Sequence, residues 1–279
     1  MLISSKIGLG TVQFGIQYGI TNKDGKTSVD EVEKTLNLAN EFGLNILDTA
    51  RNYGESEEVL GRLHKNRFKI VSKFICQGKV SELNSQVEKT LNALQTKTIY
   101  GYLSHRPSEI IDNPEIWKEL VKWKERGIIQ KIGFSLNLTS EYFALKKLDI
   151  VPDLIQIPFN YFDNRFTQVA EDVKESGGEV HARSALLQGL FMSDTMTLSG
   201  HFDSVKKIVF ELQEKFGNEL PASLLKFVCK KDFIDKVIMG VNNHNQLKDN
   251  IELLKIAPDL DNLDSIVSEE IIIPSNWKL

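Results

Sequence analysis

Short apolar runs alternate with amphipathic helical stretches eight times along this chain of 279 residues, and this alternation constrains its fold more than any other feature. The predicted strands are residues 6–9, 44–48, 68–73, 99–104, 131–135, 153–158, 179–183 and 236–239. Strands that alternate with helices imply parallel pairing. Eight such units at this length predict an α/β fold, a (β/α)₈ TIM barrel in one domain over residues 1–279, with residues 256–279 as a C-terminal tail.

Local signals support this assignment against a doubly wound open sheet, which is the alternative. Ser28 to Glu31 has the capping-box pattern, in which the Ser28 hydroxyl accepts a hydrogen bond from the backbone amide of Glu31 and begins a helix. An open sheet that binds a nucleotide usually shows GxGxxG after its first strand. Here the glycines are Gly8, Gly10 and Gly15, and the third lies too far along the chain. The barrel is therefore favoured.

Composition and charge exclude several classes of protein. The formal net charge of −4 gives no reason to expect nucleic acid or an anionic membrane as a partner. Cys76 and Cys229 lie far apart without a CxxC pair, which indicates a reducing compartment. No apolar stretch is long enough to cross a bilayer, and the first ten residues lack the pattern of a signal peptide. We expect a cytoplasmic monomer or homodimer that acts on a small molecule.

Four polar side chains follow three successive predicted strands. Asp48 ends the second strand, Tyr53 lies in the loop after it, Lys73 ends the third strand and His105 follows the fourth. In a barrel, the loops at the C-terminal ends of the strands form the active site. A tyrosine is a poor acid at neutral pH, with an unperturbed pKa of about 10, but a nearby ammonium stabilises the phenolate. A carboxylate keeps that ammonium charged and aimed, and a histidine can orient a substrate oxygen, so the set suits proton donation to a carbonyl.

Each of these residues has an ordinary structural interpretation when it is considered alone: a cap, a packed aromatic ring, a solvated charge and a turn residue. Four such coincidences at matching ends of successive strands are much less plausible than a shared site. A metal-dependent barrel hydrolase would need several histidine and carboxylate ligands at strand ends. The histidines at 64, 181, 201 and 244 do not supply them, so no metal site is expected.

The segment from Asp48 to Gly61 resembles the active-site signature of the aldo-keto reductase superfamily. Residues 71–73 and 103–107 are similar to its lysine and histidine motifs, and residues 8–11 and 240–243 also match in place and type. The resemblance implies a (β/α)₈ barrel that binds a nicotinamide cofactor in extended form without a Rossmann domain. It implies reduction of an aldehyde or ketone, with Tyr53 as general acid, Lys73 and Asp48 making that phenol more acidic, and His105 orienting the carbonyl.

The resemblance also implies which residues contact the cofactor. They are Gly10 and Thr11 after the first strand, Ser135 and Gln156 at the nicotinamide amide, Arg183, Ser184, Leu186 and Gly189 near the nicotinamide and the pyrophosphate, and Gly240, Val241, Asn242, Gln246 and Asn250 at the adenosine half. For Gln156 and Asn250, ordinary capping of a strand end or a helix is the alternative interpretation.

Two departures from the family pattern affect the cofactor. Many members place an aromatic ring beneath the nicotinamide, where this chain has Arg183, whose flat guanidinium can stack on a ring or contact an anionic substrate. Many members also bind the 2′-phosphate of NADP with Lys and Arg near the eighth strand. Here the stretch from Gly240 to Lys248 has only Lys248 as a basic residue. NADP(H) is the family expectation, NAD(H) is the alternative, and this stretch weakens the preference for NADP(H).

The substrate mouth is predicted to include Tyr18, Arg106 and the loop of residues 185–201, with Trp277 of the tail reaching it. These groups are compatible with sugars or phosphorylated carbonyl compounds. Residues 10–15 with 18–20 resemble bacterial members associated with surface-polysaccharide synthesis, which implies a keto-sugar or sugar-nucleotide substrate. The competing function is a cofactor-binding accessory or sensor protein on the same fold, with little turnover.

Overall fold

Eight parallel strands close into a barrel in the computed structural model, which describes residues 3–263 and 265–278. The strands are β1 (Ile7–Gly10), β2 (Ile46–Asp48), β3 (Lys69–Phe74), β4 (Ile99–Ser104), β5 (Ile129–Ser135), β6 (Leu154–Pro158), β7 (Glu179–Arg183) and β8 (Lys236–Gly240). Each strand pairs with the next in sequence, and β8 pairs with β1 through Leu9 opposite Met239. The predicted (β/α)₈ barrel is confirmed.

Helices follow the strands in the predicted order. They are α1 (Val29–Glu41), α2 (Ser56–Leu63), α3 (Val80–Ala93), α4 (Pro107–Asp112), α5 (Glu115–Glu125), α6 (Thr139–Lys146), α7 (Thr167–Glu175), α8 (Asp203–Phe216), α9 (Leu220–Cys229), α10 (His244–Leu253) and α11 (Glu269–Ile272). The Ser28 hydroxyl accepts from the Glu31 amide at 3.4 Å, which confirms the predicted N-cap of α1. The barrel strands and the outer helices therefore alternate as their hydrophobic periods indicate.

Several elements differ from the sequence-based expectation, and β2 begins two residues later than predicted, at Ile46. Strand β5 begins two residues earlier than predicted, at Ile129. Helix α4 was not predicted at all; it begins with Pro107 at its first turn, where a proline loses no helical hydrogen bond. Helix α6 begins at Thr139, where the Glu141 carboxylate accepts from the backbone amides of residues 137 and 138 and caps the start of the helix.

Apolar side chains fill the barrel and the layer between the strands and the helices. The cluster inside the barrel consists of Ile46, Val71, Leu103, Leu154 and Ile238. Along β3, Ile70 packs in the main outer cluster while Val71 belongs to the inner one, as the two-residue period of a strand requires. The interior is thus packed below the level at which the strands end, and polar side chains at those ends face a cavity above it.

A second apolar cluster holds the C-terminal tail against the connection that follows β7. Phe202 of that connection meets the ring of Trp277 edge-on at a centroid distance of 5.1 Å, and the Trp277 indole donates to the backbone oxygen of Ile271 at 2.7 Å. Arg165 joins the β6–α7 loop to the tail through Glu269 at 2.7 Å. None of the helices in the described part of the chain combines the length and the apolar character that a bilayer span requires.

Candidate active site

A cavity of about 1080 Å³ opens at the C-terminal ends of the strands. Gly10, Asp48, Arg183 and Gly240 line it, and each is the last residue of its strand. The lining also includes Tyr53 and His105 from the loops after β2 and β4. The parallel register brings these strand ends to one side of the barrel, which is the side where barrel enzymes carry their sites.

Lys73 and Asp48 form a buried ion pair beneath this cavity. The Lys73 ammonium donates to Asp48 Oδ1 at 2.7 Å and to the backbone oxygen of Thr49 at 3.0 Å. Burial alone would lower the pKa of Lys73, but the Asp48 carboxylate and the Tyr53 phenol outweigh it and raise that pKa above its ordinary value. The lysine is therefore a fixed cation, and it lies beneath the cavity lining instead of forming part of it.

Tyr53 lies over this cation. The Lys73 ammonium nitrogen is 5.2 Å from the centroid of the Tyr53 ring. The backbone around Tyr53 is pressed against the β1–α1 loop: a Cβ atom at Gly15 would lie 1.6 Å from the Tyr53 carbonyl oxygen. Gly54 has a φ of +58°, which favours glycine. Close approach of two loops thus positions the phenol at the cavity wall.

A buried network of hydroxyl and carboxylate groups holds the loop that carries Tyr53. The Ser56 hydroxyl donates to the Thr11 carbonyl at 2.8 Å and lies 2.9 Å from the Thr11 hydroxyl, which itself donates to the carbonyl of Asp48. Glu57 accepts from Arg51 at 2.6 Å and from Ser72 at 2.5 Å. Sequence reasoning had no role for Ser56 or Glu57, although both lie within the signature segment, because Thr11 and Ser72, which they contact, lie outside that segment. Thr11 lines the cavity, yet its hydroxyl serves this network.

His105 faces Tyr53 across the cavity, with the two rings edge-to-face at a centroid distance of 6.2 Å. Burial, together with the positive charges of Lys73, Arg183 and Arg106, lowers the pKa of His105 to about 3. The imidazole is therefore neutral near pH 7. A neutral imidazole has one N–H donor, which can hydrogen-bond an oxygen placed between His105 and Tyr53.

Gln156 of β6 has an unused acceptor beside the ion pair. Its amide nitrogen donates to Asp48 Oδ2 at 2.7 Å, and its side-chain oxygen is buried without a hydrogen-bond partner among the described residues. Buried polar atoms are nearly always satisfied, so this oxygen indicates a missing donor. Ser135 is the β5 residue paired with Gln156 in the register, and it is buried beneath the cavity lining.

The Arg183 side chain extends from the end of β7 past the end of β6 to the β5–α6 loop. One guanidinium nitrogen donates to the Leu136 carbonyl at 2.9 Å and to Asn137 Oδ1 at 2.6 Å. Burial lowers the pKa of Arg183 from its ordinary value, and the Tyr53 and Tyr18 phenols oppose that shift. The edge of the guanidinium is tied to the β5–α6 loop, so the group is held in a fixed orientation at the cavity wall.

The connection after β7 has an uncommon backbone. Ser184, Leu187 and Gln188 have φ values of 61°, 43° and 51°, in the left-handed region that non-glycine residues rarely adopt. Gly189 follows with a φ of +95°, where a Cβ would lie 2.5 Å from the Thr21 hydroxyl. Strained backbone of this kind persists where the surrounding structure determines it, and it clusters at functional sites. The strained segment lines the cavity.

Most of the cofactor residues inferred from the sequence come together here. Those that line the cavity are Gly10, Thr11, Gln156, Arg183, Ser184, Leu186, Gly189, Gly240, Asn242, Gln246 and Asn250. Val241 and Ser135 are buried behind the lining. Sequence reasoning missed further lining residues: Gln13, Asn52, Asn137, Asn218 and Asp249. Asp249 was detectable in principle, because Gln246, Asp249, Asn250 and Leu253 recur at helical spacing on one face of α10.

The substrate residues inferred from the sequence divide into two groups. Tyr18 lines the cavity, and burial together with the nearby Tyr53 raises the pKa of Tyr18 to about 12, so its hydroxyl stays protonated. Arg106 is exposed and lies outside the cavity lining, at the start of α4. Trp277 does not reach the lining, because its indole is bound to the Ile271 carbonyl within the tail. The structure therefore does not bring Arg106 and Trp277 to the cavity lining, and their role in substrate binding stays a prediction.

Comparison with known sequences assigns this chain to a family. The sequence model of the Aldo/keto reductase family matches residues 6–268. The chain is 30% identical over 188 residues to the aldo-keto reductase YhdN of Bacillus subtilis, covering 59% of this chain and 53% of that protein. It is 28% identical over 200 residues to the oxidoreductase sirO of Leptosphaeria maculans, covering 66% of this chain and 60% of that protein. The alignments thus span between about half and three fifths of these relatives.

Solved structures share the fold. A crystal structure from Pseudomonas aeruginosa, described as an aldo-keto reductase, superposes with a TM-score of 0.70 at 24% identity and covers 90% of each chain. The holo form of the aldo-keto reductase AKR11C1 from Bacillus halodurans gives a TM-score of 0.72 at 21% identity, covering 95% of this chain and 94% of that one. At these identities the structural likeness supports the barrel fold alone.

Proposed function

Because the chain belongs to the aldo/keto reductase family, we propose that it is an NAD(P)H-dependent oxidoreductase that converts an aldehyde or a ketone into an alcohol. One observation carries this proposal: Tyr53 lines the cavity directly over the buried Lys73 ammonium, which Asp48 holds at 2.7 Å. A phenol over a fixed cation is suited to giving up a proton, because the cation stabilises the phenolate that remains.

The chain's own residues supply the proton and the orientation. Tyr53 donates its hydroxyl proton to the carbonyl oxygen as negative charge builds there, and Lys73 stabilises the resulting phenolate. His105 is neutral, and its N–H hydrogen-bonds the same oxygen and sets the angle of the carbonyl. A bound nicotinamide supplies the hydride that this chemistry requires. In the reverse direction Tyr53 accepts a proton from an alcohol.

The residues at the cavity wall fit a nicotinamide cofactor. The partnerless oxygen of Gln156 can accept from a carboxamide N–H, with Ser135 behind it. The guanidinium of Arg183 is anchored by its edge to Leu136 and Asn137, and an arginine so anchored can stack its flat face on a planar ring.

The rest of the cavity suits the remainder of a dinucleotide. The strained segment after β7, with Ser184, Leu186 and Gly189, would hold the pyrophosphate. Gly10 and Gly240 pair across β1 and β8 on the opposite wall, where the Gln13 side chain packs so close to Gly240 that a Cβ there would lie 2.9 Å from the Gln13 amide nitrogen. The adenosine half would then lie along Asn242, Gln246 and Asn250.

We propose further that the substrate is a polar carbonyl compound, with a keto-sugar or a sugar derivative as the class that fits best. Tyr18 with its protonated hydroxyl, Asn52 and Asn137 line the same cavity as Tyr53. These hydroxyl and amide groups match the hydroxyls of a sugar, because each group can both donate and accept a hydrogen bond.

The test is turnover on a panel of simple aldehydes, ketones and keto-sugars, followed by the absorbance of the reduced nicotinamide. We expect oxidation of the cofactor with at least one carbonyl compound, at about 1 s⁻¹ or faster for a good substrate. Binding of the reduced cofactor with no oxidation on any carbonyl would favour the accessory or sensor function instead. Absence of cofactor binding would contradict both.

A further inference from the structure

The α10 side of the cavity is poor in positive charge. Gln246, Asp249, Asn250 and Leu253 form one face of α10, and all four line the cavity. Arg183 is the sole lysine or arginine that lines the cavity in residues 3–263 and 265–278. It is tied to Leu136 and Asn137 at the catalytic side. A bound phosphate on the α10 side would therefore meet no lysine or arginine and one carboxylate, that of Asp249.

Helix N-termini can bind phosphate without lysine or arginine, through free backbone amides. At the start of α10, three backbone amides already donate to protein acceptors. The His244 amide donates to Glu31 Oε1 at 2.7 Å, the Gln246 amide donates to Asn243 Oδ1 at 2.9 Å, and the Asn242 amide donates to Gln246 Oε1 at 2.8 Å. A phosphate would have to displace these protein acceptors.

Glu31 places a second anion at the same helix end. Its Oε1 lies 2.5 Å from His244 Nδ1 as well as accepting from the His244 amide. Burial alone would raise the pKa of Glu31, but the hydrogen bonds from His244 and the charges of His244 and of Lys34, whose ammonium lies 3.8 Å from Glu31 Oε2, outweigh it and lower that pKa, so the carboxylate is ionised at neutral pH. A negative side chain at a helix N-terminus interacts favourably with the positive end of the helix dipole, and it repels a second anion at short range.

We propose that the cofactor site selects NAD(H) over NADP(H), and that Glu31 is a specificity-determining residue because it occupies the N-terminus of α10 in place of a 2′-phosphate. This inference rests on the proposed function, since it concerns the adenosine half of the same cofactor. It reverses the family expectation of NADP(H) for this chain. The ribose hydroxyls of NAD(H) are neutral and can donate to Asp249 or Asn250, whereas the added phosphate of NADP(H) would meet the Asp249 carboxylate in the cavity lining, with the Glu31 carboxylate bound to the start of α10 outside that lining.

The experiment is a fluorescence titration of the protein with NADH and with NADPH, without substrate. We expect the wild type to bind NADH at least about tenfold more tightly than NADPH, because a 2′-phosphate meets no lysine or arginine on the α10 side of the cavity lining. Glu31→Gln removes the charge and keeps an oxygen that can accept from the His244 amide. It should tighten NADPH binding several-fold and leave the Kd of NADH nearly unchanged.

Glu33→Gln is the matched control, because Glu33 lies on the same helix and pairs only with the exposed Lys65 among the described ion pairs. It should leave both dissociation constants unchanged. Equal or tighter binding of NADPH by the wild type would overturn the inference, as would an unchanged NADPH-to-NADH ratio in a folded Glu31→Gln. If Glu31→Gln fails to fold, the wild-type ratio decides. Binding of neither cofactor would instead overturn the proposed function itself.

Discussion

At the scale of single residues, the site contains charged side chains that are buried from solvent. Lys73 and Asp48 are both buried, and each is bound to a second partner: Lys73 to the Thr49 carbonyl and Asp48 to the Gln156 amide. Buried ion pairs of this kind contribute little net stability, but breaking one leaves an uncompensated charge. In the proposed mechanism, the pair therefore serves the chemistry of Tyr53 more than the stability of the barrel.

This asymmetry predicts a strong coupling between the two residues. Lys73→Met should lower the free energy of unfolding by about 3–5 kcal/mol, because the Asp48 carboxylate stays buried without its cation. Adding Asp48→Asn should recover a large part of that loss without restoring activity, since the ammonium remains absent. Urea unfolding of both single variants and the double variant measures the coupling. Additive effects would show that the pair does not act as a unit.

His105 makes a prediction about stability and pH. Its pKa is lowered from 6.5 to about 3 in the folded protein, so between these values the unfolded chain binds one proton more than the folded one. The contribution of His105 is fully present above pH 6.5 and is lost as the pH falls toward 3, by about 1.4 kcal/mol per pH unit. His105→Gln should therefore weaken the dependence of the free energy of unfolding on pH in this window. Identical slopes for variant and wild type would contradict a neutral, buried His105.

At the scale of elements, the loops after β1 and β2 act as one unit around Tyr53. Gly15 and Gly54 allow their backbones to touch, and the Ser56 hydroxyl joins Thr11 to the start of α2. None of these contacts involves residues close in sequence, so the sequence motif identifies the residues without revealing the contacts that hold them. The position of Tyr53 depends on this packing.

Gly15→Ala tests the loop contact. The new Cβ would lie 1.6 Å from the Tyr53 carbonyl oxygen, so the two loops must separate. We expect a loss of roughly 1–3 kcal/mol in the free energy of unfolding and a lower kcat, because the phenol moves away from Lys73. Gly200→Ala is the control, since a Cβ there comes no closer than 3.6 Å to Asp203. Unchanged kcat in Gly15→Ala would show that the loop contact does not position Tyr53.

At the scale of the whole molecule, regular features were predictable and long-range contacts were not. The strand and helix periods gave the order of all eight units and placed Asp48, Tyr53 and His105 at one cavity, as the structure has them. The docking of the tail was not predictable, because Trp277 meets Phe202 through contacts 75 positions apart in the chain. Family resemblance suggested NADP(H) as the cofactor. The carboxylate that argues against it, Glu31 at the start of α10, was not predictable, because it comes from α1, at the other end of the chain.

Comparison of Tyr53→Phe with the wild type tests the central claim most directly. Tyr142→Phe is the matched control, because it also removes one phenol hydroxyl, which lies on α6 and donates to Asp172 at 2.7 Å. The readouts are kcat on the best carbonyl substrate and the Kd of the reduced cofactor. We predict that Tyr53→Phe lowers kcat by about 10²-fold or more while the Kd stays nearly unchanged, and that Tyr142→Phe retains the wild-type kcat. A Tyr53→Phe variant with a kcat close to that of the wild type would contradict the assignment of Tyr53 as the proton donor.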